Sequence, residues 1–497
     1  MVRIDIFQPS RNFPQLCNKV TVGYDEKRGR FVRALEDIPV GTVVCVEEGI
    51  TVNVDPSKCY RCLETTEEAG FAYCKNCDEF YEPDGLSCGE YDHLGIFKLA
   101  AHLVLTYPFA EIAKLLDSED PKPATSAPTS LSTTDINSVF QLKPFLDIGE
   151  SFKTKPIQDA IESLLKALDE DANWGRLDKK IRMVMFAKSL RIMAERCAKN
   201  AHTIYSIEQT ESKSKKLPIG TGLFPIASIF NHSCTPNVFA FFVKNTFIFV
   251  SRGVRAGEEL VDSYGVTFQQ QSSYQRAEFL QDVSGFKCHC TVCTESKNQD
   301  EFFARSFNNV EKCAREAPSY VDLSSFTDYM FPGSKEIENL IMAFSERPDA
   351  DVYAIHAVQY WKLFIENAKI RGVEFDPYLI RPYMNLTILA WSGDADCSEE
   401  EKASFLTLTH RLLQTFYAGL HPLSNIVNTF MATAATGDVR AMNAVLERTK
   451  CIVEIVWKSG DEEDDLEEIE DEEDKPAEPN AAEKSEDSEN SDSFVLL

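Results

Sequence analysis

At 497 residues the chain is too long for one ordinary domain, and with 43% hydrophobic and 11% aromatic residues it can build two or three cores. Its net charge of −28 is lopsided: residues 461–492 hold 18 acids against 2 lysines, about −16, which leaves about −12 on the rest. No basic footprint stands out, which disfavours direct nucleic-acid binding, and no stretch approaches the ~20 apolar residues of a membrane helix.

The 15 cysteines are not laid out as a secreted disulfide framework, and MVRIDIFQPS lacks the regions of a signal peptide. A reducing compartment is therefore expected, nucleus or cytoplasm. Residues 19–55 read as strands (KVTVGY, RFVRAL, VVCVEEGITVNV) separated by turns at 26–29 and 37–41. The first turn is Lys27-Arg28-Gly29-Arg30, which taken alone is a solvated hairpin tip. Cys59-x2-Cys62, eleven residues, then Cys74-x2-Cys77 reads as a zinc site, because thiolates two apart on a tight turn can both reach one tetrahedral ion. Cys88 and His93 are the only further ligand candidates nearby. Residues 91–116 have helical spacing with a stop near Pro108, 118–135 read as a flexible Pro/Ser/Thr loop, and 157–168 and 181–203 are again helical.

The most informative stretch is 219–237, IGTGLFPIASIFNHSCTPN. An apolar run, 223–230, breaks into Asn231-His232-Ser233-Cys234, a loop whose polar groups are aimed at something. An apolar hairpin follows, 238–243 and 247–250 around Lys244-Asn245. Then come Gly257-Glu258-Glu259-Leu260, Asp262-Ser263-Tyr264, and Phe286-Lys287-Cys288-His289-Cys290-Thr291-Val292-Cys293. From 302 to 456 the chain is mostly helical, in segments 337–344, 352–368, 377–391, 400–417, 423–435 and 439–456. The acidic end reads as a solvated tail or as an arm for basic proteins.

NHSCTPN, GEELVDSY and FKCHCTVC, in that order, resemble the SET domain of protein-lysine methyltransferases, and the cysteine pairs after the first strands resemble the MYND finger of its SMYD branch. The resemblance implies an α+β fold: a SET-type β-sheet core with a threaded, knot-like segment, an inserted zinc finger and a helical insert, followed by an all-α tetratricopeptide-like bundle. The expected boundaries are 1–55 for the first part of the SET domain, 56–93 for the finger and 94–204 for the helical insert. Residues 205–270 would be the core SET segment, 271–300 the post-SET zinc-binding segment, 301–458 the helical domain and 459–497 the acidic tail.

The implied chemistry is methyl transfer from S-adenosyl-L-methionine to the ε-amine of a lysine on a histone or other basic protein. A free lysine amine, with a pKa of ~10.4, is mostly protonated and cannot attack, so an aromatic channel that desolvates it is part of the chemistry. Tyr264 matches the catalytic tyrosine and Phe286 the aromatic residue lining the lysine channel. Arg28, Gly29 and Arg30 match the turn that holds the amino-acid end of the cofactor, Asn231 and His232 the pair that binds it, and Asn200 a further cofactor contact. Asn237 reads as a brace for the loop, and Glu258 and Glu259 as structural pairs.

Cys288, Cys290 and Cys293 supply three thiolates, and tetrahedral zinc takes a fourth, for which Cys234 is the candidate. Cys59, Cys62, Cys74 and Cys77 are grouped as one closed site; if the two interleaved sites of a full MYND finger survive, the pairs belong to different ions. Two or more zinc ions are thus expected, with a monomeric chain and a protein substrate. The alternative is a catalytically silent SET and zinc-finger adaptor that binds protein partners.

Overall fold

The computed structural model describes residues 7–54, 59, 73–74, 79–80, 95–107, 109–117, 126–144, 155–167, 176–209, 214–267, 273–294, 358, 361–362, 365, 379–392, 397–417 and 423–445. Cys62, Cys77, Cys88, His93, the helices expected at 337–344 and the acidic tail lie outside these residues.

Alternation sets the first hairpin. Strands β1 (Val20–Asp25) and β2 (Gly29–Ala34) pair antiparallel, with Val20 opposite Ala34 and Asp25 opposite Gly29. Val20, Val22, Val32 and Ala34 are buried. At the turn, Asp25 Oδ1 accepts the backbone N–H groups of Lys27 and Arg28 at 2.9 and 3.0 Å, and Gly29 takes φ +77°. That left-handed conformation would cost a residue with a side chain about 1–2 kcal/mol.

The run 43–54 divides at Gly49-Ile50 into β3 (Val43–Glu48) and β4 (Thr51–Val54), which join different sheets. A two-stranded pair, β5 (Tyr73–Cys74) and β6 (Glu79–Phe80), follows. Then come α1 (Gly95–Thr106), α2 (Phe109–Asp117), α3 (Ile136–Phe140), α4 (Lys155–Ala167) and α5 (Lys179–Asn200). The stop expected near Pro108 falls between the end of α1 and the start of α2. These helices share a core in which Leu99, Leu103, Phe186, Leu190 and Met193 are buried.

Two expectations are corrected. The last helix of the insert ends at Asn200, not 203: Ala201 is already extended and starts β7 (Ala201–Gln209), which pairs with β8 (Ser214–Leu223). Thr203, Ile204 and Tyr205 form a β-branched and aromatic run that packs better on a pleated surface. The second half of the supposed flexible loop is packed as well. Leu131 is buried, Thr133 donates its hydroxyl to Glu47, and Asp135 caps α3 by accepting from the Asn137 N–H.

After β8 a short 3₁₀ turn, Ala227–Ile229, leads into β9 (Asn231–His232). The hairpin β10 (Val238–Val243) and β11 (Thr246–Ser251) turns through Lys244 at φ 57°. β12 (Glu259–Asp262), α6 (Ser273–Phe279) and a short α7 (Thr291–Thr294) follow. The strand orders are β1-β2-β12-β9, β10-β11-β3 and β4-β8-β7. Leu16, Val32, Val44, Phe224, Phe230 and Phe249 fill the core that these sheets share.

Helices α8 (Ile380–Ser392), α9 (Glu399–Tyr417) and α10 (Ser424–Thr436) match three of the segments read from periodicity. They bury Met384, Leu412, Phe416 and Phe430 in one cluster with Phe239, Phe241, Ile248 and Val250 of the β10–β11 hairpin. The apolar hairpin is thus buried on both faces, which explains why its sequence barely alternates. Among the described residues no helix is long and apolar enough to cross a membrane.

Candidate active site

The site forms where the 223–230 run ends. Phe224, Ile226, Ile229 and Phe230 are buried, and they pull the chain through the core before β9 emerges beside β12. Asn231 lies opposite Val261 and His232 opposite Asp262, in a parallel pair. The turn is anchored by Glu47, a fully buried carboxylate on β3. It accepts the N–H of Ile226 at 3.0 and 3.1 Å, the N–H of Ala227 at 2.6 Å, and the Thr133 hydroxyl. Burial pushes its pKa up to about 7 against the pull of the Thr133, Ile226 and Ala227 hydrogen bonds. Glu47 was missed in the sequence, where the one signal was an acid at an inward position of an apolar strand.

One wall of the site is charged. Arg28 pairs with Glu259 and lies over the Phe31 ring, 4.8 Å from its centroid. That ring lies across Gly23, where an added Cβ would sit 2.6 Å from its tip and force it to shift. Asn231 Nδ2 donates to Glu259 Oε1 at 2.8 Å and to the Arg30 carbonyl at 3.1 Å. Both of its hydrogens are spent, which leaves Oδ1 to face a donor. Arg30 Nη1 is buried without a hydrogen-bond partner among the described residues, and burial draws its pKa down to about 10, still charged at neutral pH. An orphaned guanidinium nitrogen suits a carboxylate, and a free amide oxygen suits an ammonium. The residues therefore fit the amino-acid end of the implied cofactor.

Asn237 is the brace expected of it. Its Nδ2 donates to the Glu259 carbonyl at 2.8 Å, and its Oδ1 accepts the Val261 N–H at 2.7 Å. Glu258 accepts the Arg255 N–H at 2.9 Å, so both glutamates serve as structural pairs.

The other wall is aromatic. The His232 and Tyr264 rings lie 5.4 Å apart, His232 and Phe286 6.1 Å, and Tyr264 and Phe286 6.2 Å in an edge-on arrangement. Tyr264 donates its hydroxyl to the Phe230 carbonyl at 2.9 Å and its backbone N–H to His232 Nδ1 at 3.0 Å. Burial, with the nearby Asp262 and Glu259 charges, raises the tyrosine pKa, so the phenol stays protonated. Burial likewise draws His232 down to about 4. Phe286 follows Gly285, which closes the preceding turn at φ +66°, and Lys199 Nζ fixes that turn through the Ser284 carbonyl at 2.6 Å.

Behind the aromatic wall, Cys234, Cys288, Cys290 and Cys293 bring their sulfurs within 4.8 Å of one another. Cys234 Sγ is 4.0 Å from Cys288 Sγ and 3.4 Å from Cys293 Sγ. A tetrahedral zinc with bonds of ~2.3 Å needs sulfurs about 3.8 Å apart, so the four fit one ion. The Cys290 N–H donates to Cys288 Sγ at 3.5 Å, and the buried Arg276 sends Nη2 to Cys293 Sγ at 3.7 Å. Backbone and guanidinium donors around sulfur stabilise the negative charge that four thiolates bring.

The structure thus brings Arg28, Gly29, Arg30, Asn231, His232, Tyr264, Phe286 and the four later cysteines to one region. Asn200 ends α5 with its Nδ2 donating to the Arg196 and Lys143 carbonyls at 2.8 and 2.9 Å. Of the earlier cysteines, Cys59 is buried and Cys74 lies in β5, while Cys62 and Cys77 lie outside the described residues. Sequence reading also passed over His202. It packs 5.2 Å from Phe247 with Nε2 3.4 Å from Ser228 Oγ, and burial lowers its pKa to about 4.

Comparison with known proteins adds independent findings. Residues 29–265 match the family described as SET domain. The "SET domain-containing protein 3" of Caenorhabditis elegans is 56% identical over 466 residues, 94% of this chain and 100% of that protein. Similarity to the human "Protein-lysine N-methyltransferase SMYD4" is 31% over 101 residues, 19% of this chain and 13% of that protein. Similarity to the mouse "Histone-lysine N-methyltransferase SMYD3" is 34% over 103 residues, 20% of this chain and 22% of that protein.

Proposed function

The chain belongs to the SET-domain family, and on that premise we propose that it is a protein-lysine N-methyltransferase of SMYD-like type. The observation that carries the proposal is the convergence of the His232, Tyr264 and Phe286 rings next in sequence to Asn231, whose amide is held by the Arg30 carbonyl and Glu259. S-adenosyl-L-methionine would supply an activated methyl group on sulfur. Arg30 would take its carboxylate, Asn231 Oδ1 its ammonium, and the Arg28–Gly29 turn would close over that end. Asn200 is offered as a further contact through its Oδ1, since its Nδ2 is held by the Arg196 and Lys143 carbonyls.

Tyr264 and Phe286 would line the channel for the substrate lysine. Their rings strip water from the amine and so favour its neutral, nucleophilic form. The Tyr264 phenol, fixed on the Phe230 carbonyl, would keep the amine in line with the methyl carbon, and alignment is the larger part of what this reaction asks of a protein. Cys234, Cys288, Cys290 and Cys293 would hold one zinc ion that fixes the Phe286 segment. Cys59, Cys62, Cys74 and Cys77 are proposed for finger zinc.

The substrate would be a histone or another basic protein, met by a monomer in the nucleus or cytoplasm. The test is transfer of labelled methyl to core histones and a fraction of basic cell proteins, with Tyr264→Phe alongside. Label recovered as methyl-lysine, reduced about 100-fold in the variant, supports the reading. Label on another residue type, or undiminished in the variant, overturns it.

A further inference from the structure

Lys199 and Asn200, the last two residues of α5, each hold a different part of the site. The Asn200 carbonyl accepts the Ser228 hydroxyl at 3.3 Å, within the turn that leads into Asn231. Lys199 reaches the other side, where its Nζ donates to the Ser284 carbonyl at 2.6 Å. That carbonyl ends an uncommon piece of backbone. α6 runs directly into one π-helical turn, Leu280–Ser284, which Gly285 closes. The Gly285 N–H bonds to the Gln281 carbonyl at 3.0 Å and the Phe286 N–H to the Leu280 carbonyl at 3.4 Å. Single π turns are rare and gather at functional sites. The last carbonyls of a helix lack a partner within it, and here an ammonium from another element supplies one to Ser284. The ammonium also lies against Gly285, where an added Cβ would stand 3.5 Å from it. The next residue is Phe286, whose ring is 6.1 Å from His232 and 6.2 Å from Tyr264.

We propose that Lys199 is a positioning residue for the lysine channel: its ammonium ties the turn that aims Phe286 to the end of the helical insert. The channel in this statement rests on the methyltransferase reading, whereas the tether does not. A lysine suits the task, because a long stem spans two helix ends and a charged donor strengthens the bond to a neutral carbonyl. Positive charge is also favoured where helical carbonyls are left over. With Asn200 on the turn before Asn231 and Lys199 on the turn before Phe286, both approaches to the site are referred to α5.

Two variants test the tether. Lys199→Met keeps most of the stem and removes the donor, and Lys199→Arg restores a charged donor. In Lys199→Met the Gly285 and Phe286 amides should exchange hydrogen about 10-fold faster, while the Ile229 and Phe230 amides keep their wild-type rates. Methylation of core histones should fall about 10-fold in kcat, with calorimetric binding of S-adenosylmethionine within about 2-fold, as expected when alignment alone is lost. Lys199→Arg should return both exchange and kcat to within about 3-fold of wild type.

Unchanged exchange at Gly285 and Phe286 would overturn the tether. Faster exchange with unchanged kcat would overturn the positioning role. So would equal loosening at Ile229 and Phe230, or cofactor binding lost in step with turnover, since either would mark Lys199 as support for the fold at large. If Lys199→Met does not fold, Lys199→Gln, shorter and uncharged, is read in the same assays against the same outcomes. If the wild-type protein transfers no methyl to core histones, exchange alone decides the tether. If it also binds no S-adenosylmethionine, the methyltransferase reading has failed independently.

Discussion

The two walls of the site are built by different physics. The charged wall, Arg28, Glu259 and Asn231, is held by side chains reaching for one another at a hairpin tip, and the Arg28 side chain is 53% exposed. The aromatic wall is held by half-buried and buried groups on the backbone: Tyr264 on Phe230, His232 on Tyr264, and the fully buried Glu47 on the 225–230 turn. Exposed pairs are screened and weak, whereas a buried donor left unsatisfied costs its full desolvation. The charged wall can therefore adapt to a ligand, while the aromatic wall must be right before the ligand arrives.

The largest test of that contrast is removal of the metal. Cys234→Ser, or chelation, should lower methyl transfer more than about 100-fold while the β-sheet circular dichroism persists, because the thiolate shell holds the segment that carries Phe286. Retained activity would mean that the aromatic wall needs no metal. Next is Glu47→Gln, which sets an amide NH2 against the N–H of Ile226 or Ala227. It should cost about 2–3 kcal/mol in denaturant unfolding.

His202 sharpens the same contrast by pH. Its folded pKa is about 4, below the unfolded value near 6.5, so its stability term is full above 6.5 and is lost as pH falls toward 4. The unfolded chain takes up a proton that the buried ring refuses. His202→Phe should therefore lose about 2 kcal/mol less than wild type between pH 7 and pH 4.5, measured by unfolding at each pH. The smallest effect belongs to the charged wall. Arg28→Ala should change stability by no more than about 1 kcal/mol, less at high salt.

Much of this was legible in the sequence, and the limits have physical causes. Alternation showed β1 and β2, helical period showed α8 to α10, and thiol spacing anticipated the Cys234 cluster before any geometry was known. These are signals written locally, or in residue types with few other uses. Glu47 was not legible, because its three partners come from the insert and from the turn after β8, and nothing in VVCVEE names them. The β7–β8 hairpin was hidden because α5 runs into it without a breaker, and its glycines are set by close approach: a Cβ at Gly220 would lie 2.2 Å from the Asn53 carbonyl oxygen. Asn200 reads as a cofactor contact by its neighbours in sequence, and nothing in that pattern shows that its Nδ2 donates to the Arg196 and Lys143 carbonyls.

The most direct test of the whole account is calorimetric binding of S-adenosylmethionine to zinc-loaded protein, beside Asn231→Ala. It depends on this chain alone and needs no knowledge of the substrate. The account predicts roughly micromolar binding, weakened about 10-fold or more in the variant by loss of the amide beside Arg30. No binding by a folded, metal-replete protein would contradict it and would leave a SET scaffold that serves as an adaptor.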